Sequence, residues 1–257
     1  MVVADLHAHT TRSDGRLTLD SVPAAARRAG VEVVAITDHD RVQPALDGPV
    51  TEREGVTLVH GIELRVQADE QRLDLLGYGV EPTDALVAEC DRIQHNRRER
   101  GRRIIDCVEA RLDTELPVEP REGLGRPHVA QAIADVSEYS FQDAFDRLIG
   151  DDCPCYVARE VPSFERGVEL LREACGLVGL AHPFRYPDTD AALARCGALD
   201  AIERWYPYGH AVEHTRVDAA VERDDLLPTG GSDAHDEQLG VAGLERPAWE
   251  RVRAEIV

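Results

Sequence analysis

Short apolar runs alternate with longer amphipathic stretches along the chain. Runs of β-branched and other apolar residues at 2–5, 33–37, 56–62, 73–78, 177–181, 199–205 and 227–230 predict seven strands. Helical patterns fall between several of them. Residues 19–29 are alanine-rich, with Ser21 and Pro23 near the start and Gly30 at the end. Residues 163–175 open on Ser163 as N-cap and carry an apolar stripe of Val168, Leu170, Leu171 and Cys175. Residues 212–223 form a third such pattern. Strand, helix and strand in turn predict an α/β chain with a largely parallel sheet covered on both faces, related to the (β/α)₈ barrels. Function in such barrels collects at the carboxyl ends of the strands.

The rhythm breaks between 84 and 159, where no inner strand is evident. Leu86, Cys90, Ile93, Ile104, Ile105, Val108 and Leu112 predict one long amphipathic helix, and 128–136 and 141–149 shorter ones. The expected division is a barrel from 1–83 and 160–257 with a helical insertion, 84–159, over its mouth.

Metal-grade side chains recur where strands should end: DLHAHTTRSDG (5–15), TDHD (37–40), GIE (61–63), AHP (181–183) and GSDAH (231–235, after Gly230). Imidazole and carboxylate suit borderline divalent ions. In a strand His7 and His9 share a face, with backbones about 7 Å apart, so both imidazoles can meet one ion. The alternative is a hydrogen-bonded polar core. Gly15 permits a sharp turn presenting Asp14. His39 is the candidate in TDHD, with Asp38 and Asp40 placed to orient its ring. Glu63 is either a carboxylate bridging two ions or a surface glutamate at a strand end. His182 precedes Pro183, and Asp233 and His235 stand two apart beside glycines that allow close approach. His60, His95, His210 and His214 are read as ordinary polar residues, with His95 as a reserve ligand.

Charge changes the picture of the surface. The formal net charge is −20, and all 29 basic residues are arginine. An acidic, lysine-free surface resembles proteins of salt-loving archaea, where molar salt shortens the Debye length to about 3 Å; recruitment of a cationic partner is the alternative. Long nucleic acid is disfavoured as a ligand. No apolar run approaches the roughly 18–20 residues of a membrane span, and with no signal peptide the expected location is cytoplasmic. The six cysteines show no zinc-finger spacing, and reduced thiols without a role are expected. RRERGRR (97–103) is either an anion-attracting patch or a solvated helix face paired through Glu99, and Arg185 is a weaker candidate of the same kind.

The order HxH…SDG, TDHD, GxE, AHP, GSDxH resembles the PHP (polymerase and histidinol phosphatase) family of metal-dependent phosphoesterases. Gly125, Arg126, Pro127 and His128 resemble the GRPH of a branch containing nucleoside 3′,5′-bisphosphate phosphatases and enzymes that trim RNA from its 5′ end. The resemblance covers nearly the whole chain and implies a distorted (β/α)₇ TIM-like barrel with two or three divalent ions (Mn, Zn or Fe). It places His7, His9, Glu63 and Asp233 around one ion and Asp14, His39 and His235 around a second. Glu63 and His182 would hold a third with a strand histidine, for which this chain has Asp74, a harder ligand that leaves the third site either retuned toward manganese or only partly occupied. Asp233, His235 and Asp14 would hold the attacking water, and Arg126 and His128 would bind substrate. The implied substrate is a small phosphorylated nucleotide, a 3′,5′-bisphosphate or monophosphate. The alternatives are 5′-3′ hydrolysis of short RNA, histidinol-phosphate hydrolysis, and a non-catalytic metal-binding module.

Overall fold

Eight strands form one mixed sheet in a computed structural model that describes residues 1–256. They are β1 (Ala4–Ala8), β2 (Val33–Ile36), β3 (Val50–Arg53), β4 (Val56–Ala68), β5 (Gln71–Tyr78), β6 (Leu177–Leu180), β7 (Ala201–Trp205) and β8 (Leu227–Gly230). The order is β1-β2-β4-β5-β6-β7-β8, with β3 on β4. The β1–β2, β2–β4, β6–β7 and β7–β8 pairings are parallel, as the strand–helix alternation predicts. The β3–β4, β4–β5 and β5–β6 pairings are antiparallel, which corrects the largely parallel sheet expected. The reason is local: two residues separate β4 from β5, which is room for a hairpin and far too little for a crossover.

The strand expected at 56–62 runs on to Ala68, and Gly61 marks where its pairing changes. Before it, Val33–Ile36 pair with Thr57–His60; from Gly61 onward the partner is β5. A Cβ on Gly61 would lie 2.8 Å from the Thr37 methyl, so only glycine lets the strands converge there. The sheet curls until the segment after β8 reaches β1: His9 N–H donates to the Ala234 carbonyl (3.0 Å), and Ala234 N–H donates to that of His7 (3.3 Å).

Helices α1 (Val22–Ala29), α5 (Phe164–Ala174), α7 (His214–Asp224) and α8 (Arg246–Ile256) pack on this sheet, and α6 (Thr189–Ala194) lies beside α7. The Ser163 hydroxyl accepts from Arg166 N–H, the capping its position predicts, and Gly30 ends α1 in the left-handed conformation. Val22, Ala25 and Ala26 bury against Val34, Ile36, Val56 and Leu58. On another side Trp249, Val252 and Ile256 of α8, a helix the periodicity missed, join Leu6, Val33, Leu76 and Tyr78. Each fully buried large aliphatic contributes about 1.5–3 kcal/mol of transfer free energy.

The chain divides into two compact units, Met1–Cys90 with Val161–Val257, and Asp91–Glu160. Helix α2 (Asp84–Leu112) runs from the first into the second, which also holds α3 (Arg126–Val136) and α4 (Phe141–Ala144), the latter continued by a π-helical turn, Phe145–Ile149. Ile104, Ile105, Val108, Val129, Ile133 and Ile149 form the second unit's own core. Cys107 and Cys155 are disulfide-bonded within it, which corrects the expectation of reduced, role-free cysteines. The partners lie 48 residues apart, so the neighbouring CPC spacing gave no sign of the pair. Among the described residues no helix is long and apolar enough to cross a membrane.

Candidate metal centre

The curl of the sheet brings residues of β1, β4 and β5, and of the segments following β1, β2, β6 and β8, into three ligand groups: His7, His9, Glu63 and Asp233; His9, Asp14, His39 and His235; and Glu63, Asp74 and His182. Glu63 stands at their centre. It is fully buried inside β4, not at a strand end, and its Oε2 lies 2.8 Å from His39 Nδ1 and 3.3 Å from both His7 Nε2 and His9 Nε2. Its Oε1 lies 2.9 Å from His182 Nε2. Asp233 Oδ1 is 3.0 Å from His9 Nε2 and 3.4 Å from His7 Nε2. Asp14 reaches His235 Nε2 at 3.4 Å and His39 Nε2 at 3.8 Å. All nine residues expected as ligands therefore meet, and His9 belongs to two groups rather than one.

The first group fits a divalent ion on two counts. Its donors are imidazoles and carboxylates, and His7 Nε2 is a buried polar atom without a hydrogen-bond partner. Protons answer the same field. Burial alone would lower the His7 and His39 pKa values, but Glu203 and Glu63 around His7, and Glu63 and Asp14 around His39, raise both. Burial likewise opposes the charge on His235, yet its hydrogen bond to Asp14 and the pull of Asp233 bring it up to about 9. Asp14 and Asp233 are held well below the usual carboxylate range by the surrounding imidazoles, despite burial.

Several residues that hold the ligands are not themselves in the ligand groups. Glu203 of β7 is fully buried, with Oε1 3.0 Å from His7 Nδ1 and Oε2 accepting from His182 N–H at 2.7 Å. One carboxylate thus orients two histidines from behind. Its sequence signal was an acid in the apolar run AIERW, because a buried charge needs partners. Asp5 accepts from Ser232 N–H and hydroxyl and from Gly240 N–H, tying the GSDAH segment to β1. Asp38 accepts from Thr10 N–H, the Thr10 hydroxyl and the Ser13 hydroxyl. Its expected role in orienting His39 is therefore corrected: it braces the loop that presents Asp14. Asp40 accepts from Arg65 N–H.

Close backbone approach explains two glycines. A Cβ on Gly231 would fall 2.3 Å from His7 N, and one on Gly15 would fall 2.2 Å from the His9 carbonyl oxygen. His182 (φ 27°) and Asp233 (φ 50°) both occupy the left-handed region, at a cost of about 1–3 kcal/mol each that the surrounding bonds must offset.

A cleft of about 560 Å³ lined by Asp14, Arg16, Asp233, His235 and Gln238 opens beside the ligand groups. Arg185 and Tyr206 stand at Asp233: Arg185 Nη1 and the Tyr206 hydroxyl donate to its Oδ2 at 2.9 and 2.8 Å. Arg126 and His128 lie in the second unit, where each has a local partner. Arg126 pairs with Asp151 at 2.9 Å and faces the Phe145 and Tyr156 rings, and His128 Nδ1 accepts from Gly125 N–H at the start of α3. Of the RRERGRR arginines, Arg98 and Arg102 pair with Glu99, while Arg97 and Arg100 are buried.

The sequence profile of the PHP domain matches residues 5–147. A phosphoribosyl 1,2-cyclic phosphate 1,2-diphosphodiesterase of Eggerthella lenta is 31% identical over 91% of this chain and 94% of its own. A 3′,5′-nucleoside bisphosphate phosphatase of Chromobacterium violaceum is 28% identical over 100% of this chain and 99% of its own. The 5′-3′ exoribonuclease Rnm of Escherichia coli is 28% identical over 91% and 85%. A crystal structure from Bifidobacterium adolescentis, provisionally assigned as a metal-dependent phosphoesterase, superposes with a TM-score of 0.80 at 24% identity, covering 99% of this chain and 96% of that one. With more than half its length matched by the profile and a relative above 30% identity along nearly all of it, this chain belongs to the PHP domain family.

Proposed function

We infer that this chain is a metal-dependent phosphoesterase whose substrate is a small phosphorylated nucleotide, a nucleoside 3′,5′-bisphosphate or monophosphate. The observation that carries the reading is the convergence of Glu63 and Asp233 on His7, His9, His39 and His235 around the buried, unpartnered His7 Nε2. The names of the relatives add that each acts on a phosphate ester of a ribose unit. The curled sheet is read as the family's distorted (β/α)₇ barrel.

His7, His9, Glu63 and Asp233 would hold one ion, and Asp14, His39 and His235 a second. Bound divalent ions, manganese, zinc or iron, supply Lewis-acid charge for the phosphoryl oxygens and a water acidic enough to ionise near neutral pH. The chain's own groups do the rest. Arg185, half-exposed beside Asp233, offers a planar fork to phosphoryl oxygens. Asp233 turns Oδ1 to the imidazoles and Oδ2 toward Tyr206 and Arg185, so one carboxylate links the ligand group to the substrate side. The Tyr206 hydroxyl donates to Oδ2 and fixes that orientation.

The test follows free phosphate and, by chromatography, the organic products, because cleaving a diester once frees no phosphate. It is run in molar potassium chloride with manganese, chosen because the surface is acidic and lysine-free. The panel holds a 3′,5′-bisphosphate nucleotide, a nucleoside monophosphate, histidinol phosphate, a 5′-phosphorylated short RNA and a ribosyl 1,2-cyclic phosphate. Release from the first two alone is the expected result. Hydrolysis of only the RNA or only the cyclic diester would move the substrate assignment to that compound, and silence across a metal-loaded panel would overturn the enzymatic reading.

A further inference from the structure

The third ligand group does not fit a third divalent ion. Its atoms lie within 4.8 Å of one another, but Asp74 is already engaged. Arg65 Nε donates to Asp74 Oδ1 and Arg65 Nη2 to Asp74 Oδ2, both at 2.6 Å, a bidentate fork on a carboxylate that is 2% exposed. The pair is built in. Arg65 and Asp74 are direct cross-strand partners in the β4–β5 register, Arg65 N–H donates to Asp40, and Asp74 N–H donates to the Tyr186 hydroxyl. His182 Nε2 meanwhile sits 2.9 Å from Glu63 Oε1 and 3.7 Å from Asp74 Oδ2. An incoming dication would have to take Asp74 from a charged donor on each oxygen, and would sit against that guanidinium's own positive charge.

We propose that the Arg65 guanidinium, clamped on Asp74, is a built-in cation in place of a third metal, so that this chain loads two divalent ions and no more. The guanidinium balances the Asp74 carboxylate that would otherwise stand buried and unpaired beside Glu63. His182 then serves Glu63 as a hydrogen-bonding neighbour instead of completing a metal shell. The proposal rests on the two-ion reading above, and metal stoichiometry separates the two.

The experiment is metal content by mass spectrometry of the native protein and by elemental analysis after manganese or zinc loading, with folding checked by circular dichroism. Wild type is expected to take up two equivalents, and Arg65→Lys, which keeps the charge, also two. Arg65→Met combined with Asp74→His removes the internal cation and supplies an imidazole, and three equivalents are expected. Arg65→Met alone frees the carboxylate and is expected to gain a third, weaker equivalent. Three equivalents in wild type would overturn the proposal. So would a folded double variant that stays at two, because the guanidinium would then not be what excludes the ion. Fewer than two in wild type would overturn the underlying two-ion reading and this proposal with it.

Discussion

Single carboxylates decide what this centre can hold. Asp233 touches His7, His9, His235, Arg185 and Tyr206, so Asp233→Ala should abolish phosphate release and deplete metal; full activity with full metal content in that variant would remove Asp233 from the site. Glu203 is a subtler case. It touches His7 and His182 from behind and belongs to none of the ligand groups, so Glu203→Gln should weaken metal affinity by about 10–100-fold while the protein stays folded. Competition against a chelator reads that change directly. Protons compete for the same atoms. In the metal-free protein the His235 pKa is raised to about 9, so the stability it adds is fully present below its unfolded pKa near 6.5 and is lost as pH rises through about 9. Asp14 is depressed, so its contribution is present above the ordinary carboxylate range and is lost as pH falls through its lowered pKa. Metal loading near neutral pH must displace the imidazole protons. Calorimetry of manganese binding in two buffers of different ionisation enthalpy should therefore reveal proton release, with the His235 share fading above about pH 9. Release that is unchanged across that range would contradict the assignment of His235 as a ligand.

At the level of elements, positions of glycines and of the hairpin set the spacing of the ligands. Gly231 lies so close to His7 that a Cβ would overlap its backbone nitrogen. Gly231→Val should push the segment after β8 off β1, lowering the melting temperature and the metal content together, whereas Gly48→Ala, in open space, should leave both unchanged. The long β4 carries both Ile62 and Glu63, both fully buried, the latter among imidazoles. Ile62→Ala should cost about 2–5 kcal/mol by chemical denaturation. Apolar periodicity located the strand cores and α1, α5 and α7 because burial on one face imposes it. It missed β3, whose four residues are half-buried or exposed, and α8, where apolar Trp249, Val252 and Ile256 are diluted by charge. It also stopped β4 six residues early, because Leu64, Val66 and Ala68 alternate with Glu63, Arg65 and Gln67, a pattern that reads equally as a strand or an exposed loop.

Over the whole molecule, charge and covalent linkage govern stability. A net charge of −20 on 257 residues repels itself, and added salt screens that repulsion. The melting temperature should rise between 0.1 and 2 M potassium chloride; a flat or falling trend would argue against salt adaptation. The Cys107–Cys155 bond closes 48 residues within the second unit, worth about 4 kcal/mol at most on chain-entropy grounds. Reductant, or Cys155→Ser, should therefore loosen residues 91–160 in hydrogen exchange.

The side chains that converge were legible from sequence alone because most of their motifs are local: His9, His39, His182, Asp233 and His235 lie just past apolar runs and emerge beyond strand ends, whereas His7, Glu63 and Asp74 lie inside strands. Partnership was not legible. That Glu203 backs His7, that Tyr206 and Arg185 grip Asp233, and that Cys107 finds Cys155 depend on residues brought together across 27 to 196 positions in the chain. Even Arg65 and Asp74, nine apart, meet only because the hairpin register sets them face to face. Side-chain chemistry is written residue by residue. The distance between side chains is set by strand register and sheet curl, which the packing of the whole unit selects, so the count of ions such a centre accepts is a property of the fold.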